Sequence, residues 1–338
     1  MKLPSELLLS LLAIVTAAAL SFALTWLLMP LLQRYALAKP SARSSHKLPT
    51  PQGAGIAVIA ATLVTIVVFS AVTKAEVSIC ALAATFFIAI VGAADDVRSL
   101  PVLTRLIAQT IAVGAVMSMW PGDVRIFPLC PPWIERGVLL LAGVWFVNLV
   151  NFMDGLDWMT VAEVVPIAGA IVALGYLSHV PPITAIVAGA LGGALLGFAP
   201  FNRPIAKVFL GDVGSLPIGL LLGWCLLELA YRGQLIASLL LPLYYLSDAT
   251  ITMLRHLVTG EKVWVAHRSH FYQRATNEGL SVLDVVGTVF GLNLVLALLA
   301  IASTWVTSPA AKIIVLIAGL ALVGLTLFRF SRLGRSAR

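Results

Sequence analysis

Asp95 and Asp96 stand side by side in A-D-D-V-R-S-L (94–100), at the end of an apolar run. Adjacent carboxylates repel, so the pair needs a cation, a hydrogen-bonding cap or full hydration. A solvated helix end meets that need. So does a hard divalent ion, because Mg²⁺ takes one or two carboxylates, keeps several waters and binds substrate phosphate oxygens. A second set, Asn148, Asn151, Asp154 and Asp157, recurs every three residues in N-L-V-N-F-M-D-G-L-D. On an α-helix each step of three falls about 60° short of a turn, so the four cannot share one narrow stripe unless the helix unwinds. Gly155 is a natural place for that. Asp157 can serve as the N-cap of the next helix. Capping leaves both asparagines and Asp154 unexplained, and these are costly to bury unpaired.

Asp212 lies between two glycines in F-L-G-D-V-G-S-L, where an apolar helix begins. N-capping is one reading. The other is that the glycines let a ligand approach the backbone, where a helix N-terminus favours phosphate. Lys207, five residues upstream, can add positive charge there. In H-R-S-H-F-Y-Q-R (267–274), His267, His270 and Arg274 share a face if the segment is helical. The Glu of a H-E-x-x-H zinc site is missing. Arg and His donors suit a polyphosphate, and isolated loop residues remain the plain alternative.

What must hold these groups is mostly hydrocarbon. The 338 residues are 60% hydrophobic and 11% charged, with mean hydropathy +1.01, whereas soluble domains carry about 25% charged residues. The expected fold is therefore all-α, a polytopic integral membrane protein, since lipid requires internally satisfied backbones. Apolar runs bounded by Pro, Gly and charge suggest about 11 spans, near 7–29, 53–73, 76–94, 102–120, 137–153, 158–178, 183–199, 213–231, 234–254, 284–306 and 311–328. The first run is too long for a signal-peptide core and reads as an uncleaved span. Cys80, Cys130 and Cys225 are widely spaced and read as packing residues, not as a disulfide framework.

Sixteen of the 22 Lys and Arg fall on one side of this layout. That bias makes the side cytoplasmic, with the N-terminus periplasmic and the C-terminus cytoplasmic. Every polar cluster then lies on the cytoplasmic face: 44–55, 94–100, 148–157, 201–215 and 267–274. The chain reads as one transmembrane catalytic domain (1–338) with a long cytoplasmic loop, 255–282, and a basic tail, 329–338, suited to anionic headgroups. Acids to hold a metal and cations to hold phosphate oxygens are the parts of phosphoryl transfer. A lipid co-substrate explains the membrane scaffold; nucleic acid is not an expected partner.

These segments, in this order, resemble the polyprenyl-phosphate N-acetylhexosamine-1-phosphate transferases over roughly residues 30 to 275. The motifs are A-D-D-x-x-x-L, N-x-x-N-x-x-D-G-x-D and F-x-G-D-x-G-S. H-x-x-H-x-x-x-R is more similar to the O-antigen and enterobacterial common antigen branch than to the peptidoglycan phospho-N-acetylmuramoyl-pentapeptide translocases. The resemblance implies a bacterial inner-membrane enzyme that needs Mg²⁺, with Mn²⁺ as a substitute. It would transfer HexNAc-1-phosphate from a UDP-N-acetylhexosamine to undecaprenyl phosphate, releasing UMP and starting a polysaccharide such as O-antigen. It implies that Asp95 and Asp96 serve metal binding and deprotonation of the lipid phosphate, and that Asp212 is a metal ligand. Asp154 and Asp157, with Asn148 and Asn151, would shape the catalytic and nucleotide site. Asn202, Lys207, His267, His270 and Arg274 would bind the nucleotide sugar. Gln52 departs from the family's usual Arg, Lys39-Pro40 from an acidic residue before proline, and Trp158-Met159 from Gly-Leu. The donor expected is a 6-deoxy-HexNAc such as FucNAc or QuiNAc before GlcNAc. Homodimerisation stays open. The rival class is a multi-span transporter or flippase, which would place ionisable residues near the midplane.

Overall fold

The structure, a computed structural model, describes residues 5–38, 49–120, 124–260 and 269–332. His267, part of the 44–55 segment and the end of the basic tail lie outside the described residues. Among the described residues the chain is helical apart from a two-residue antiparallel pair, β1 (Leu37–Ala38) with β2 (Thr50–Pro51). Eight helices are long and apolar enough to cross a membrane. They are α1 (Ser5–Tyr35), α2 (Gly55–Thr73), α3 (Ile79–Val97), α5 (Pro132–Met153), α6 (Met159–Tyr176), α8 (Asp212–Tyr231), α12 (Val282–Trp305) and α13 (Pro309–Arg332). Two shorter apolar helices are α4 (Val102–Met117) and α7 (Pro182–Phe198).

The single span expected over 234–254 is instead two helices, α9 (Leu235–Leu240) and α10 (Leu243–Val258). Pro242 sits between them, with no N–H to continue the helical ladder. Described parts of the long loop are helical. Its start is the end of α10, and α11 (Phe271–Asn277) forms near its end. His270 is the N-cap position of α11, so only Arg274 of the H-x-x-H-x-x-x-R set is within a described helix.

The bundle is built around α8, which packs against α3, α5, α2, α9 and α7. Its apolar stretch is 83% buried, against 22% for α1 and α13, so α8 is the central post and those two present most of their surface outward. Small residues allow the closest approaches. A Cβ on Gly55 would strike the Gly214 backbone, and one on Gly92 would strike the Asp212 carbonyl. Segment 51–55 is laced to the approach to α8: Phe209 N donates to Pro51 O at 2.8 Å and Gly55 N to Leu210 O at 2.8 Å. These contacts bring the start of α2, the end of α3 and the start of α8 to one point.

Candidate active site

The end of α3 folds its two acids to different tasks. Asp96 reaches across to α8 and receives the Asp212 N–H at Oδ1 (2.8 Å) and the Val213 N–H at Oδ2 (3.0 Å). Gln52 Nε2 donates to the same carboxylate at 2.5 Å. Asp96 is thus the cap of α8, satisfying N–H groups that have no partner inside the helix. Neither Asp212 nor Asp157 plays the N-cap role open to it from sequence. Gly211, at φ +79°, occupies the cap position of α8, and Trp158, at φ +64°, that of α6.

Asp95 turns back on its own chain, accepting from Leu100 N (2.6 Å) and from Arg105 Nη1 on α4 (3.0 Å). Its carboxyl group also comes within hydrogen-bond reach of Asp212. Asn151 Nδ2, from the last turn of α5, donates to Asp212 Oδ1 (2.7 Å) and to Ser215 Oγ (2.8 Å). Four helix ends therefore converge on Asp95, Asp96, Asn151 and Asp212. Asn148 is turned to a different use. Its amide pairs reciprocally with that of Gln109 on α4 and donates to Val144 O at 2.8 Å, which makes it a brace between α4 and α5.

The four residues spaced by threes do not share one stripe, since α5 ends at Met153 and Asp154 is its C-cap. Gly155 contributes room rather than a left-handed backbone: a Cβ there would strike Tyr272 Oη and meet Gln273 Nε2 at 2.9 Å. Asp154 accepts from the Thr160 hydroxyl. Burial pushes its carboxyl up to about 6, with Asp96 and Asp157 adding to the rise and Thr160 opposing it. Asp157 accepts from Ala206 N at 3.0 Å. Asn202 receives the Trp158 N–H at 2.8 Å and donates to Val208 O at 3.1 Å. Loops 154–158 and 202–208 are thereby one unit, with Lys207 exposed on it.

A third cluster surrounds Asp248, a fully buried acid of α10. Its Oδ1 accepts from Phe271 N and lies against His270 Nδ1, both at 3.1 Å, and its Oδ2 accepts from Tyr272 N at 3.3 Å. The hydroxyls of Tyr244 (3.2 Å) and Thr252 (3.3 Å) complete the set. Tyr272 Oη then donates to Phe152 O at 3.2 Å, seating α11 on the turn that carries Asp154.

The glycosyl transferase family 4 profile matches residues 78–230, from the N-cap of α3 to the last turn of α8. A probable undecaprenyl-phosphate N-acetylglucosaminyl 1-phosphate transferase of Bacillus subtilis is 24% identical over 315 residues, 87% of each chain. The decaprenyl-phosphate N-acetylglucosaminephosphotransferase of Mycobacterium leprae is 27% identical, covering 81% of this chain and 79% of its own. A phospho-N-acetylmuramoyl-pentapeptide-transferase of Desulfatibacillum aliphaticivorans is 31% identical over 52% of this chain and 58% of its own. The chain is thus similar, over most of its length, to polyprenyl-phosphate N-acetylhexosamine-1-phosphate transferases.

The structure also gives the polar residues of the motifs their partners. Arg105 answers Asp95, Gln109 holds Asn148, and Gln52 holds Asp96. Asp248 carried a usable signal: an ionisable residue inside an apolar run is a functional candidate by default. Among the described residues no three His, Cys, Asp or Glu side chains form a ready metal cage. The donor set still fits a hard cation that keeps its waters. Two carboxyl groups within reach of one another, Asp95 and Asp212, need a proton or a cation between them. A cavity of about 260 Å³ lined by Leu9, Val72, Thr73, Ala75, Pro182 and Ile186 lies at the opposite end of α2 from this cluster and shares none of its residues.

Proposed function

We propose that this protein transfers HexNAc-1-phosphate from a UDP-N-acetylhexosamine to undecaprenyl phosphate, forming undecaprenyl-diphospho-HexNAc and UMP, as the first step of a cell-surface polysaccharide such as O-antigen. The observation that carries this reading is the meeting of Asp95 and Asp212 beside Asn151, at helix ends that all face one side of the bundle. The relatives named as polyprenyl-phosphate transferases support the two substrates. With α9 and α10 counted as one broken crossing and α4 and α7 as short ones, the chain spans a bacterial inner membrane eleven times. Its N-terminus is periplasmic and its site cytoplasmic, as the Lys and Arg distribution supports.

Asp95 and Asp212 would hold Mg²⁺, or Mn²⁺ in its place, which supplies Lewis-acid polarisation of the donor diphosphate. Asn151 fixes the Asp212 carboxylate, and Arg105 keeps Asp95 turned toward it. His270 and Arg274 grip the donor from α11. The lipid phosphate oxygen attacks the β-phosphorus and UMP leaves. Both Asp96 oxygens are taken by α8, which supports direct attack over a phospho-enzyme on that residue. The lipid phosphate, with a second pKa near ~6, is already largely ionised at neutral pH and needs little from a base.

The test is UMP release by purified protein given undecaprenyl phosphate, Mg²⁺ and a panel of UDP-GlcNAc and 6-deoxy UDP-HexNAc donors. Release that requires both lipid and metal supports the reading and names the sugar. Silence with every donor, in folded protein, overturns it in favour of a lipid-sugar transporter or flippase. A stoichiometric burst of UMP without lipid would instead establish a phospho-enzyme. Because a bound metal favours the ionised form of neighbouring acids, protons compete for Asp154. Mn²⁺ affinity, followed by titration, is therefore expected to weaken as the pH falls, including the fall through about 6 where Asp154 takes up its proton.

A further inference from the structure

We propose that Asp248 is a positioning residue that acts through His270, holding the ring by an Nδ1–H contact so that its Nε2 edge is set toward the rim, where Nε2, when it too carries a proton, donates to an anionic ligand. The inference deepens the transferase reading, and its kinetic arm rests on that reading. Four of the five partners of the Asp248 carboxylate are donors by their chemistry: two backbone N–H groups and two hydroxyls. The fifth, His270 Nδ1, lies 3.1 Å from Oδ1. An ionised carboxylate only accepts, so this nitrogen must be the protonated one. The Asp248 side chain is wholly buried while that of His270 keeps 12% of its surface, so the contact is sheltered and the ring is not sealed off.

The same carboxylate caps the start of α11 through the Phe271 and Tyr272 N–H groups. Tyr272 stacks on the His270 ring at 5.6 Å and bonds the Phe152 carbonyl. Gly155 leaves no space for even a methyl group between that turn and Tyr272. One buried acid on α10 thus sets both the orientation of His270 and its station against the turn carrying Asp154. A carboxylate fixing the ring that faces a ligand is a recurrent device, and its removal costs about 10–100-fold in the metal sites where it is best measured.

Two measurements test this. In ¹⁵N-histidine spectra of the purified protein, the His270 signal is identified by its loss in His270→Gln. It is expected to show a protonated Nδ1, and an unprotonated Nδ1 overturns the proposal whether or not the protein releases UMP. In the kinetic arm, Asp248→Asn is expected to lower kcat/KM for the UDP-sugar by about 10–100-fold, mostly through KM, with Asp248→Glu recovering part. In a His270→Ala background the same change should cost no more than about twofold, the scatter of independent sites. An equal loss in both backgrounds makes Asp248 a fold element only and overturns the proposal. Absence of UMP release from the wild type overturns the transferase reading separately, leaving the spectra to decide the Asp248–His270 contact.

Discussion

Asp212→Asn is expected to lower UMP release by roughly 10²–10⁴-fold while leaving the fold intact. Several kcal/mol of transition-state stabilisation is what a bound Lewis acid supplies, and each 1.36 kcal/mol is worth a factor of ten. The asparagine keeps the volume of the side chain and an oxygen able to receive the Asn151 N–H, now 2.7 Å from Oδ1. It also removes one of two acids in contact, so metal-free stability should hold or rise, as substitutions at sites strained for function often do. Added Mg²⁺ should raise the melting temperature of the wild type by mass action, and that rise should vanish in the variant. A variant with turnover within about tenfold of wild type and an intact Mg²⁺ shift would remove Asp212 from the metal site.

Gly92→Ala should be nearly as damaging, for steric reasons. The new Cβ would collide with the Asp212 carbonyl and lie 2.7 Å from Val213 N. Backbone atoms of a buried helix cannot step aside as a side chain would, so the first turn of α8 must shift. Overpacking of this kind costs about 1–3 kcal/mol, and each N–H pulled from Asp96 adds about 1–3 kcal/mol of unmet desolvation. The expected result is a clear fall in melting temperature together with at least about a 10²-fold loss of turnover, since displacement near 1 Å suffices for that. Gly169→Ala is the control, because nothing lies within 4 Å of its Cβ and an alanine in a helix interior is otherwise favoured by roughly 0.5–1 kcal/mol. Equal damage from both substitutions would refute the crossing contact as the cause.

The parts of the molecule legible in the sequence are those with a local signal. Apolar runs located most of the long apolar helices, and the step of three from Asn148 to Asp157 indicated that the four residues could not share one stripe of a regular helix. The motifs marked Asp95, Asp96 and Asp212 as neighbours without revealing which acid does what. Asp96 serves as a cap only because α8 arrives opposite it, and Asn148 serves as a brace only because Gln109 faces it from α4. Such roles depend on the partner, and a partner 39 or 116 residues away leaves no trace in local spacing. Gly155 shows the same limit: a glycine chosen for backbone freedom and one chosen for space look identical in a sequence. The break before Pro242 was readable in principle, but the apolar run continued through it and length alone suggested one span.

The cap of α8 has a consequence for how the protein is made. Asp96 and the N–H groups it holds are separated by 116 and 117 residues of chain, and Tyr272 lies 120 residues beyond the carbonyl it binds. During synthesis from the N-terminus, at about 5–20 residues per second, the end of α3 reaches the membrane many seconds before its partners exist. In that interval Asp95 and Asp96 can be answered by water, lipid headgroups and partners close by or already made, such as Arg105 and Gln52, but not by α8. A half-inserted chain therefore carries its acids at the membrane surface without a substrate site, and catalytic competence arrives only once α8, and later α11, have been delivered.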